Sequence, residues 1–92
     1  MEEIEMLRKK IDKIDDEIVK LYTARLSLTE QIGKLKLQNA ENIEVPFREK
    51  EIIERLTKKL GEEEKENVER LYYFIFTESK NLQTKIIEEE NK

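Results

Sequence analysis

Residues 2–38 read EEIEMLRKKIDKIDDEIVKLYTARLSLTEQIGKLKLQ, with Ile4, Leu7, Ile11, Ile14, Ile18, Leu21, Leu28, Ile32 and Leu35 separated by three, four or seven positions. That spacing lays all of them along one stripe of an α-helix, a pattern no strand of period two can present. With Ile4 as the first seam site, the sites run 4, 7, 11, 14, 18, 21, 25, 28, 32 and 35, and all are Ile or Leu except Arg25. A helix over this stretch is about 55 Å long at about 1.5 Å per residue, whereas a compact chain of this size has a radius of gyration of about 12 Å. The helix must therefore protrude from its own subunit with its apolar stripe uncovered. A symmetric pair of chains is the commonest way to cover it, so an all-α homodimer with paired long helices is predicted.

Beyond this stretch, residues 39–45 are polar and end at Pro46, which predicts a connection. A short helix is predicted from Pro46 or Phe47 to Leu60, closed by Gly61, with Ile52, Ile53, Leu56 and Leu60 inward. A third begins at Glu62, turns Val68, Leu71, Tyr72, Ile75, Leu82 and Ile86 inward, and frays from Glu88. The 92 residues allow one domain.

Composition narrows the chemistry. The net charge of −4 argues against nucleic acid or an acidic membrane surface as partner. With no Cys and no His, disulfides, thiolate nucleophiles, imidazole-dependent catalysis and the common zinc sites are excluded. The N-terminus has no apolar run of the kind that directs secretion, and a cytoplasmic protein without a metal or cofactor is expected.

Polar residues interrupt the apolar faces of all three predicted helices. Arg25 occupies a seam site, where a guanidinium needs a carboxylate or a bound anion, although it could also set helix register. Lys36 lies 11 residues on, about 16 Å further and turned by about 20°, so it looks the same way, unless it snorkels to water. Glu49 opens the inner face of the second helix with Arg48 on its flank, and a dipole partner or a simple salt bridge is the alternative for Glu49. Ser79 and Gln83 sit in or beside the third stripe, where helix–helix hydrogen bonding is the alternative. A core does not gather such a set for stability, and a pocket for a small polyanion explains it better. Arg8 is 28 residues before Lys36, about 42 Å along the helix, so any role at that pocket is at the partner's.

The run Leu7-Arg8-Lys9-Lys10-Ile11-Asp12-Lys13-Ile14-Asp15, then Leu21 and Arg25, Gly33-Lys34-Leu35-Lys36, Arg48-Glu49, and Glu78-Ser79 with Gln83, closely resembles the small all-helical class II chorismate mutases. The resemblance implies an intertwined homodimer of three-helix chains that converts chorismate to prephenate by an intramolecular Claisen rearrangement. It implies that Arg25 and the partner's Arg8 bind the two carboxylates, with Ser79 adding a contact. By the same resemblance Lys36 and Gln83 donate to the ether oxygen, Glu49 accepts from the ring hydroxyl, and Arg48 is a rim cation. Family members often carry Asp three residues before the Arg of Arg-Glu, where this chain has Val45. The length suggests a free-standing mutase without a fused dehydratase, dehydrogenase or regulatory domain. Two other readings share much of the pattern: an isochorismate-pyruvate lyase of the same fold, and a helical dimerisation module without catalysis.

Overall fold

The stripe of Ile and Leu becomes one uninterrupted helix. A computed structural model, which describes residues 1–41 and 46–90, contains α1 (Glu2–Gln38), α2 (Pro46–Thr57) and α3 (Glu62–Glu90), with no strand among the described residues. The bounds of α1 match the predicted ones, and its acidic first turn, Glu2, Glu3 and Glu5, suits the positive end of the helix dipole. Within the connection, residues 42–45, including Val45, lie outside the described residues.

α3 is the central element, packing against both α1 and α2. Facing pairs along α1 and α3 advance together, Arg25 with Ser79, Thr29 with Gln83 and Gly33 with Ile86, so these helices run parallel where they touch. α2 and α3 form an antiparallel pair, with Glu49 opposite Lys80 and the turn after Thr57 closing the other end. Gly33 is buried at the closest approach of α1 and α3.

Only Ile52, Ile75, Phe76 and Ile86 form a buried apolar core among the described residues. The α1 stripe is left in water: Leu7 is 58% exposed, Ile18 56% and Leu35 57%. The radius of gyration is 16.9 Å and the longest dimension 55 Å, close to the length expected for α1. Leu71, predicted inward, is exposed because it joins Ile18, Leu21, Tyr22, Tyr72 and Phe74 around an open apolar cleft of about 400 Å³. This cleft extends the α1 stripe onto α3.

Two helix ends differ from the sequence reading. α2 stops at Thr57 rather than Leu60, where the chain tightens into a turn with Leu60 N–H donating to Thr57 O at 3.0 Å. Gly61 therefore does not close α2. Its carbonyl accepts from Lys65 N–H at 2.9 Å and starts α3, and its φ is not positive. At the other end, α3 continues through Glu88 to Glu90 instead of fraying from Glu88.

α1 ends in a Schellman arrangement. Glu41 N–H donates to Lys36 O at 2.8 Å and Ala40 N–H to Leu37 O at 3.3 Å, with Ala40 at φ 55°. A left-handed conformation costs an L-residue with a Cβ about 1–2 kcal/mol, and glycine escapes most of that cost. Ala40→Gly is expected to raise stability by about 0.5–1 kcal/mol in urea unfolding, with an unchanged slope.

Candidate active site

Successive turns on the facing sides of α1 and α3 set the polar groups of the site. Arg25 Nη1 donates to Ser79 Oγ at 2.8 Å, and Ser79 Oγ donates to the Ile75 carbonyl one turn back at 2.9 Å. The hydroxyl proton is thus committed to the backbone, and its lone pair is presented to the guanidinium. Among the described residues no carboxylate lies within ion-pair distance of Arg25. Among the described residues the half-buried guanidinium therefore faces a neutral hydroxyl rather than a counter-charge.

One turn further on, buried Gln83 donates through Nε2 to the Thr29 carbonyl at 3.2 Å. A carbonyl can only accept, which fixes the amide orientation and leaves its second N–H as a donor for a ligand. A further turn along, Gly33 permits this contact. A Cβ built there would lie 3.0 Å from Gln83 Cγ and 3.3 Å from Ile86 Cδ1. Gly33 is thus a close-approach glycine in mid-helix.

These groups open into a cavity of about 470 Å³ walled by all three helices. Arg25, Lys36, Arg48, Glu49, Ser79 and Gln83, six of the seven residues singled out in the sequence, line it. Leu28, Ile32, Ile52 and Phe76 supply apolar wall. Arg48 is an exposed residue bonded to Glu51 Oε1 at 2.5 Å, as suits a rim cation. Arg8 is the exception: it is far along α1, bonded to Glu5 at 2.9 Å, and its side chain is 68% exposed.

Sequence reading missed two polar contributors. Lys80 lines the cavity and pairs with Glu49 Oε2 at 3.4 Å, and Thr29 contributes its carbonyl to Gln83. The sequence signal for Lys80 was its position between Ser79 and Gln83, but a lysine beside a stripe has the same spacing when it faces water. Thr29 acts through its backbone, which side-chain patterning does not register.

The cavity offers Arg25, Lys36, Arg48 and Lys80 against a single carboxylate, Glu49, among the described lining residues. Such a lining suits a small polyanion that also carries a hydroxyl. Among the described residues no cluster of acidic side chains could hold a metal ion, and no helix is long and apolar enough to cross a membrane. A family model described as chorismate mutase type II matches residues 7–84. The chain belongs to that family.

A chorismate mutase of Methanocaldococcus jannaschii is 36% identical over 97% of this chain and 92% of its own length. A bifunctional chorismate mutase/prephenate dehydratase of Aquifex aeolicus is 46% identical over 61% of this chain, which corresponds to 16% of that protein. The T-protein of Haemophilus influenzae is 43% identical over 53% of this chain and 13% of its own length. No solved structure gave a significant match. Family membership supports an isomerase, chorismate mutase, acting in aromatic biosynthesis.

Because a Cβ at Gly33 would crowd Gln83 Cγ, Gly33→Ala is expected to shift the Gln83 side chain and weaken its bond to the Thr29 carbonyl. Chorismate turnover is expected to fall by about tenfold or more while the melting temperature falls by only a few degrees, about 1 kcal/mol of overpacking. Paired kinetic and melting measurements check this, and a change in stability without a change in kcat would refute it.

Proposed function

We propose that this protein converts chorismate to prephenate in the cytoplasm, at two equivalent sites of a homodimer. The observation that carries the reading is Arg25, a cation on an apolar helix face bonded to a neutral hydroxyl and opening into a cationic cavity. The substrate is a dianion with an ether bridge and a ring hydroxyl. Its rearrangement is intramolecular, breaking the ether C–O bond as a C–C bond forms. It needs neither nucleophile nor metal, only selection of the compact diaxial conformer and stabilisation of charge on the ether oxygen.

In this proposal Arg25 binds one carboxylate with its planar fork of donors, and Ser79 holds that fork in place while adding a polar contact. Lys36 and the free N–H of Gln83 donate to the ether oxygen. That oxygen is more negative in the transition state than in bound substrate, so these bonds lower the barrier selectively. Glu49 accepts from the ring hydroxyl, and Arg48 is a cation at the rim. The same fold and cations would also suit isochorismate-pyruvate lyase chemistry, but the family model and the Methanocaldococcus relative favour the mutase.

The second chain supplies what one chain lacks. Ile4, Leu7, Ile11, Ile14 and Ile18 are exposed along α1, and each such side chain taken fully out of water contributes about 1.5–3 kcal/mol. An antiparallel pairing of the two α1 helices covers this stripe and carries the partner's Arg8 to the cavity, where it binds the second carboxylate.

Mixing two crippled chains tests activity, roles and sharing together. Arg8→Ala and Lys36→Ala are each expected to be nearly inactive in a chorismate-to-prephenate assay in which the unaltered protein is active. After subunit exchange at equal amounts, about one quarter of wild-type activity is expected, because half the dimers are mixed and each holds one intact site. Absence of recovery despite demonstrated exchange would overturn the shared site, and absence of prephenate from the unaltered protein would overturn the activity.

A further inference from the structure

Four ion pairs tie described residues together, and three of them, Arg8–Glu5, Lys34–Glu30 and Arg48–Glu51, join neighbours three or four positions apart on one helix. Those side chains are 48–68% exposed, where a pair of this kind has little effect. The fourth differs in both respects. Lys80 Nζ on α3 meets Glu49 Oε2 on α2 at 3.4 Å, with the side chains 34% and 31% exposed, and both residues line the cavity.

We infer that Lys80 is a positioning residue for substrate recognition, its ammonium fixing the Glu49 carboxylate as acceptor for the ring hydroxyl. The inference rests on the role proposed above for Glu49. Two physical points support it. The pair engages Oε2, which leaves Oε1 to accept a hydrogen bond. Glu49 also stands in the first turn of α2, so a cross-link to α3 at that point holds the acceptor against the helix that carries Ser79 and Gln83.

A positioning role and a merely structural or field effect separate when the substrate loses its hydroxyl. The experiment measures kcat and KM for Lys80→Met, Lys80→Gln, Lys80→Arg, Glu49→Gln and the Lys80→Met/Glu49→Gln double variant. Each is assayed with chorismate and with an analogue carrying hydrogen in place of the ring hydroxyl. Lys80→Met and Lys80→Gln are expected to raise KM for chorismate by about tenfold with kcat changed by less than about threefold, and Lys80→Arg to stay within about threefold of wild type. The double variant is expected to match Glu49→Gln, and the analogue to show little response to any of these changes.

Equal losses on chorismate and the analogue, additive losses in the double variant, or an unchanged KM in both uncharged Lys80 variants would overturn the inference. If Glu49→Gln itself treats chorismate and the analogue alike, the hydroxyl role of Glu49 falls and the inference falls with it. If Glu49→Gln distinguishes them and the Lys80 variants do not, only the role of Lys80 falls. Lys80→Gln keeps a polar side chain at the site, so the test stands even where Lys80→Met does not fold.

Discussion

A guanidinium held on an apolar helix face by a neutral hydroxyl is the constraint on which the rest of this structure turns. Arg25 takes a seam site that an Ile or Leu would otherwise fill, and its bonded partner is Ser79, itself anchored to the α3 backbone. Leaving a charge half-buried beside only a hydroxyl is costly, and an incoming carboxylate relieves that cost. Under the proposed function, the fold gives up local stability at Arg25 in exchange for affinity for an anion. The same face continues through Gln83 and Gly33, so under the proposed mechanism recognition and ether-oxygen stabilisation would share one parallel contact between α1 and α3.

That contact makes a small enclosure, and most of the apolar surface of the other described residues is uncovered, more than suits a stable monomer of 92 residues. Among the described residues four apolar side chains are buried, while the α1 stripe and the cleft around Leu71 and Phe74 stay open. Under the proposed pairing, the surface that needs covering and the Arg8 that the cavity lacks lie on the same protruding half of α1. Association would then complete the core and the site in one step, which couples activity to protein concentration.

The fold was legible where one signal dominated. Heptad spacing together with the polar stretch before Pro46 placed α1 at its observed ends, and Pro46 marked the start of α2. Gly61 misled because glycine suits both a helix end and a helix start, and the turn bond from Leu60 to Thr57 was not visible in side-chain pattern. Leu71 lies on the apolar stripe as read, but one chain supplies nothing to bury it. In the site, Arg25, Lys36, Arg48, Glu49, Ser79 and Gln83 were legible because each sits on or beside an apolar face. Lys80 was not, because its pairing with Glu49 depends on how α2 folds back against α3.

The most direct test of the cationic cavity is the melting temperature of the protein against increasing concentrations of a bicyclic ether dicarboxylate that mimics the chair-like transition state. A ligand that binds only the folded protein raises the melting point progressively with concentration, and calorimetry should find one such ligand per chain. A melting curve unmoved at millimolar ligand would mean that Arg25 and its neighbours serve helix packing alone.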